Sequence, residues 1–402
     1  MSFAQRLQQL SGPAAAKGVE DTALYVYVPI VSRDEVGGEP GQPLRGAVER
    51  FHRANAQRAE CRPLSLVTTN THDAKRSADV RSRLDALSEM PDEWERVVKR
   101  WRKLNAKHRR VVRGRLAPDT NTEYLMYQVL VALWPSPRAG RRKDDIPSRD
   151  WREQTCARLT EYAIKAAREA KMRTSWVDPD DAYERALADF VAAIFEPAED
   201  APFLPDVARL AARTAPLGAL NAIARLVVHL TAPGTPDLFQ GDELWNYALV
   251  DPDNRQPVDF EARETAMSAL SWDPGDDLAA SDSRLKLLVT QRILRLRRTI
   301  PDVFVRGGYT SLEVTGPRAD HVLAFARRFE GRMCVTAVAR TLGQTELVSN
   351  RQWWRDTVVH LPLNERGNTL RSAMIEAPGM DTRTPLEVGL LLEKLPVAVL
   401  VN

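Results

Sequence analysis

A long block that reads as helix, from about Arg81 to Pro216, interrupts a chain whose flanks read as short strands and turns. Ala, Leu, Arg and Glu dominate the block, and apolar residues recur at helical spacing with no strand-like run among them. Asp92-Glu93-Trp94-Glu95 opens one helix with acids in its first turn, where the positive end of the helix dipole favours them. The polar stretch Pro135 to Arg149 reads as a surface loop.

On either side of the block stands the same local pattern. Leu66-Val67-Thr68-Thr69-Asn70-Thr71-His72-Asp73-Ala74-Lys75-Arg76 is a β-branched run ending in a polar cluster, as expected of a buried strand delivering side chains into a cleft at its carboxyl end. Thr231-Ala232-Pro233-Gly234-Thr235-Pro236-Asp237-Leu238-Phe239-Gln240-Gly241-Asp242-Glu243-Leu244-Trp245 repeats the logic, with a short apolar strand, then Gln, Gly, two carboxylates and an indole. An ionised carboxylate beside an imidazole suits hydroxyl-rich ligands, because it accepts several hydrogen bonds. Glycine allows close backbone approach, and an indole face stacks on a sugar ring. Two such strand ends suggest neighbouring walls of one polar site. Capping competes as an explanation for His72-Asp73, and a turn followed by a capped helix competes for Asp242 and Glu243.

The first residues, Phe3 to Leu10, read as a short amphipathic helix with Phe3, Leu7 and Leu10 on one face. Up to about Val80 short strands mix with Gly- and Pro-rich loops. A helix is expected over Asp282 to Thr299, with Leu285, Leu288, Ile293 and Leu296 apolar. After Pro301 the pattern is all-β, with strands at His321–Arg327, Met333–Val338 and Pro396–Val401. Lys+Arg 57 against Asp+Glu 54 is near balance, which argues for an ordinary cytoplasmic enzyme and against a dedicated nucleic-acid binder. Cys61, Cys156 and Cys334 are too widely spaced for a disulfide framework or metal knuckle, and the six histidines lack paired spacing, so neither metal nor cofactor is expected. No run approaches signal or membrane-span length.

The chain resembles the carboxyl-terminal part of the maltooligosyltrehalose synthases, a family of the α-amylase superfamily. The resemblance rests on Ala16-Lys17-Gly18-Val19-Glu20-Asp21-Thr22-Ala23-Leu24-Tyr25, Glu35-Val36-Gly37-Gly38-Glu39-Pro40-Gly41, Phe51-His52-Arg53-Ala54-Asn55 and Thr71-His72-Asp73-Ala74-Lys75-Arg76-Ser77. It continues through Ala167-Arg168-Glu169-Ala170-Lys171-Met172-Arg173-Thr174-Ser175-Trp176, Gln240-Gly241-Asp242-Glu243-Leu244-Trp245 and Asp251-Pro252-Asp253-Asn254-Arg255-Gln256-Pro257-Val258-Asp259. The fold it implies is α/β plus all-β: the carboxyl-terminal part of a (β/α)8 barrel with a large helical insertion, followed by a terminal antiparallel β-domain. The expected boundaries are 1–80 for partial barrel, 81–216 for the insertion, 217–300 for the barrel remainder and 301–402 for the β-domain. The Thr71-His72-Asp73 strand would be the seventh of the barrel and the Leu238 strand the eighth.

The same resemblance implies an intramolecular transglucosylation. The reducing-end α-1,4 bond of a maltooligosaccharide is broken and an α,α-1,1 bond is made. The nucleophile Asp and acid/base Glu of the superfamily belong well before the Lys17 region, and neither motif is found in the residues that precede it. A retaining reaction needs that pair ~5–5.5 Å apart. The expectation is therefore a carboxyl-terminal half, inactive alone, with Asp73 as the third catalytic-site carboxylate and His72 beside it. A separate amino-terminal half would be its partner. Candidate walls of the glucose pocket are Lys17, Glu20, Asp21, Lys75, Arg76, Gln240, Asp242 and Glu243, although a structural salt bridge or cap explains each equally well. Asp242 departs from the uncharged residue frequent in the family.

Two rivals stand against this reading. Between Arg96 and Arg115 there are ten Lys/Arg and no acid, a face able to meet a nucleic-acid backbone. An amphipathic helix built on Val97, Val98, Trp101 and Leu104 is the simpler account. The second rival is a non-catalytic glucan-binding remnant using Trp176, Trp245, Trp353 and Trp354. A partial barrel exposes sheet edges, so poor solubility of the chain alone is expected.

Overall fold

A computed structural model describes residues 2–136, 142, 144–197, 202–270, 282–343, 350–362 and 369–402. Its chain divides into two compact units: one of residues 1–42, 72–218 and 247–256, and one of residues 43–71, 219–246 and 257–402.

The first unit is helical. Ser77 caps the Ala78–Asp85 helix, Asp119 the Thr120–Leu133 helix, Ser148 the Arg149–Ala170 helix and Asp180 the Asp181–Phe195 helix, each through its side-chain oxygen on a backbone N–H. Pro91 opens the Pro91–Asn105 helix, with Asp92 and Glu93 in its first turn. Trp101 is fully buried and meets Tyr127 and Phe203 edge-on at 5.4 and 5.2 Å. A hairpin of Arg110–Val112 and Arg115–Ala117, turning at the left-handed Arg113 and Gly114, sits where only helix was expected. Its strands are three residues each, too short for a periodicity signal.

The basic stretch of this unit is largely ion-paired. Arg102 and Arg109 both reach the buried Glu123 at 3.6 Å, Arg110 reaches Asp189 at 2.8 Å and Arg113 reaches Asp180 at 3.2 Å. The Phe3–Ala15 helix is longer than expected and buries none of its residues; Phe3, Leu7 and Leu10 are all exposed. Most of residues 1–80 is helix or loop, contrary to the expected mixture of strands. Leu66–Thr68 is the one described strand there.

That strand belongs to the second unit. It pairs in parallel with Thr235–Asp237, register Leu66↔Thr235 and Thr68↔Asp237, as a two-stranded sheet. The expected burial is absent. Leu66 is 79% exposed, because a pair without further neighbours leaves one side chain in two facing outward. Gly234, at φ +113°, lies so close to Val67 that a Cβ there would meet its methyls at 3.0 Å.

A six-stranded antiparallel sheet dominates the rest of this unit, in the order Met380–Asp381, Thr369–Ser372, Val397–Val401, Arg332–Ala339, Val322–Phe329, Gly308–Ser311. Its central hairpin turns at Glu330-Gly331, both left-handed, as a two-residue hairpin turn requires. Against it pack Ile223, Val227 and Leu230 of the Phe203–Thr231 helix and Leu285, Val289 and Ile293 of the Ser283–Thr299 helix, which Asp282 caps. Trp354 lies in the short Arg351–Trp354 turn and is fully buried, which corrects its reading as a sugar-stacking residue.

Two outcomes follow. Trp354→Ala should destabilise the second unit by about 3–5 kcal/mol, read from denaturant unfolding, with no effect on any sugar affinity. Asp34, fully buried in the first unit with neither carboxylate oxygen hydrogen-bonded, is pushed up to about 7 by burial, against the pull of Arg76 and Arg33. A carboxyl raised in the folded state binds more protons there than in the unfolded chain, so stability falls as pH rises from the ordinary Asp range through 7. Asp34→Asn should flatten the decline of melting temperature between pH 5 and 8; an unchanged slope would refute this assignment.

Candidate functional site

Residues Ala16–Ala23 form a π-helical segment, a wide turn found often at functional sites, and it carries Lys17, Glu20 and Asp21. Asp21 is the hub. Lys17 Nζ donates to its Oδ2 at 2.6 Å and Lys75 Nζ to its Oδ1 at 2.9 Å. Burial pushes the Asp21 carboxyl up, but the hydrogen bonds from Lys17 and Lys75 outweigh it and hold the group below the ordinary range. The Lys75 ammonium is almost buried and lies 5.5 Å from the centre of the Tyr25 ring, while Lys17 is largely in solvent. Lys17 is shifted upward, first by its hydrogen bond to Asp21 and more weakly by the charges of Glu169 and Asp73. Glu20 accepts the Gly37 N–H at 3.3 Å.

Glu35 holds the backbone that presents Lys75. Its carboxylate accepts the N–H groups of Lys75 at 2.7 Å, Arg76 at 3.1 Å and Val36 at 2.9 Å. Gly38 follows because a Cβ there would meet the Arg33 and Glu35 carbonyl oxygens at 2.8 Å. Arg76 is fully buried; its guanidinium donates to Tyr162 Oη at 2.7 Å and to the Asp34 carbonyl. Arg76 was expected either to line a ligand pocket or to serve a structural pairing; its donors reach these internal groups and brace the loop.

His72 and Asp73 are outward-facing. Their side chains are 66% and 65% exposed, with His72 Nε2 3.4 Å from Asp73 Oδ2. The backbone beneath is fixed by Asn254, whose Nδ2 donates to the His72 carbonyl at 2.9 Å. Asn254 belongs to the Asp251–Arg255 turn, itself pinned by Arg158, which donates to both Asp253 oxygens at 2.8 Å.

The Gln240–Glu243 group belongs to the second unit. Gln240 is exposed. Asp242 is buried, and Asn70 Nδ2 lies 3.1 Å from both its oxygens while Asn246 Nδ2 donates at 2.8 Å. Glu243 accepts from Arg263 Nε at 2.9 Å, and Arg263 also donates to the Gly241 carbonyl at 2.8 Å. Gly241 takes φ +93°, which only glycine adopts without strain.

Sequence reasoning missed Glu35, Asn70, Asn254 and Arg263. Glu35 was legible only as part of a Gly-rich loop; its buried clamp has no signature in spacing. Among the described residues, no group of three or more His, Cys, Asp or Glu is placed to hold a metal ion. No described helix is long and apolar enough to cross a membrane. Chemically, an exposed carboxylate bordered by an imidazole, with two ammonium groups sharing one acid, can accept from and donate to the hydroxyls of a neutral ligand.

No protein-family model matches the sequence. A putative maltooligosyl trehalose synthase of Mycobacterium tuberculosis is 37% identical over 359 residues, spanning 89% of this chain and 41% of that protein. The solved structure of maltooligosyltrehalose synthase from Arthrobacter ramosus is 35% identical with a TM-score of 0.76, covering 99% of this chain and 46% of that one. A further crystal structure of a maltooligosyl trehalose synthase is 26% identical with a TM-score of 0.73, covering 98% and 47%. The chain therefore spans less than half the length of the relatives it matches. With identity of this extent and a common fold, the chain belongs to the maltooligosyltrehalose synthase family.

Proposed function

We propose that this chain supplies the carboxyl-terminal part of a maltooligosyltrehalose synthase, with Asp73 as its third catalytic-site carboxylate. The whole enzyme converts the reducing-end α-1,4 bond of a maltooligosaccharide to an α,α-1,1 bond, and the nucleophile Asp and acid/base Glu belong to the part of the family's length that this chain does not span. The observation that carries this reading is Asp73 itself: a solvent-facing carboxylate on a braced backbone, with Lys17 and Lys75 paired to Asp21 in the same unit. The parallel pairing of Leu66–Thr68 with Thr235–Asp237 supports their reading as adjacent barrel strands.

In this reading Asp73 accepts hydrogen bonds from secondary hydroxyls of the reacting sugar, and His72 donates to a neighbouring one. Contacts that tighten as the ring flattens towards the oxocarbenium-like transition state lower the barrier rather than merely raise affinity. Lys17, Glu20, Asp21 and Lys75 hold the glucose released from the chain. Water must be excluded while that glucose turns, which requires fixed walls, and the pairing of Lys75 with Asp21 supplies one. The second reading, a non-catalytic α-glucan-binding remnant, is favoured by the exposed Trp176. It predicts affinity for maltopentaose without turnover in any assembly.

Co-expression with a polypeptide carrying the two absent acids should yield loss of reducing ends from maltopentaose, whereas each part alone gives none. In that assembly Asp73→Asn should lower kcat by about 100-fold or more with little change in melting temperature. Failure of every such pairing to act on maltopentaose would sink this reading. Glu35→Ala should cost about 1–3 kcal/mol of stability and reduce kcat in the assembly, because three backbone N–H groups lose their acceptor and Lys75 its position. Unchanged unfolding and turnover in this variant would exclude the clamp.

A further inference from the structure

A recess of about 310 Å³ lies within the first unit, between one face of the Arg149–Ala170 helix, Trp176 and the Leu249–Asp253 segment. Its lining shares no residue with the Lys17–Asp21–Lys75 group. The volume stands at the small end of ligand pockets, about 300–1,000 Å³, and suits one or two sugar rings.

The charges around the recess cancel. Arg158, Lys165 and Arg168 face Glu161, Asp251 and Asp253, and each cation already has an acid: Arg158 holds Asp253, Lys165 holds Asp251 and Arg168 holds Glu184 at 2.6 Å. A phosphate or carboxylate ligand would find no uncommitted cation among these three. A neutral ligand rich in hydroxyls finds fixed donors and acceptors instead. Trp176 adds the apolar platform. It stays 54% exposed although the Arg168 guanidinium covers it at 4.7 Å, and its indole N–H is anchored on Glu169 at 3.0 Å. A half-open indole locked by a charged neighbour presents its ring at low entropic cost, which is what stacking on the C–H face of a pyranose needs.

We propose that this recess is a binding site for one or two glucose units of an α-glucan, with Trp176 as the stacking residue and the Arg158–Asp253 and Lys165–Asp251 pairs as hydroxyl partners. It rests on the α-glucan reading above and adds a second place on this chain where the polymer is held.

The test titrates maltopentaose into the full chain, followed by calorimetry and tryptophan fluorescence, with circular dichroism confirming the fold of each variant. The wild-type chain should bind, Trp176→Ala should weaken binding by about tenfold or more, and Trp176→Phe should recover part of the loss because it keeps a ring. Inorganic phosphate should not displace the sugar. Binding unchanged in a folded Trp176→Ala chain, or displaced by phosphate, overturns the proposal. Binding lost in Asp73→Asn and kept in Trp176→Ala also overturns it, and leaves the catalytic reading standing. A wild-type chain that binds no maltopentaose overturns the recess and the glucan-binding remnant together, whereas turnover in the assembled enzyme reports on the catalytic reading independently.

Discussion

The carboxylate of Glu35 is the constraint on which the candidate site of the first unit depends. By accepting the consecutive N–H groups of Lys75 and Arg76 it fixes two peptide planes at once, and a buried charge satisfied by backbone donors makes a stronger hold than a neutral hydrogen bond. Arg76 locks the far side by filling the interior with a guanidinium that ends on Tyr162 and the Asp34 carbonyl. Lys75 then has one place to go, the carboxylate of Asp21, and Asp73 is presented outward by a backbone that Asn254 secures at His72.

What was legible in the sequence was periodicity and composition. The helices at Pro91–Asn105 and Ser283–Thr299 and the long strands Val322–Phe329 and Arg332–Ala339 announce themselves by repeated apolar spacing, caps and turn residues. The hairpin at Arg110–Ala117 did not, because three-residue strands rich in arginine resemble a helix surface. The Leu66–Thr68 strand was legible by its β-branched run, yet its exposure was not. Burial is set by how many neighbours a strand has, and no residue in the run encodes that number.

For the site, residue type was visible and partnership was not. Asp242 and Glu243 look alike in sequence, but one is closed in by Asn70 and Asn246 and the other is held by Arg263. Arg76 and Lys75 are adjacent and equally basic, yet one braces the interior and the other meets Asp21. The same holds along Arg96–Arg115, where a run that reads as free positive charge is matched at Arg102, Arg109, Arg110 and Arg113 by Glu123, Asp189 and Asp180 from distant positions. Long-range pairing decides the role of a charged side chain, and only a fold supplies it.

The parallel strands Leu66–Thr68 and Thr235–Asp237 have a consequence for how the molecule reaches this state. They close a loop of roughly 170 residues for the sake of three paired positions, and so short a ladder cannot by itself offset the entropy of closing so long a chain. The ladder must therefore be a late event, made after the flanking helices have condensed and brought its ends within reach. So short a ladder adds little to the stability of the native state, and local opening draws on contacts of this kind.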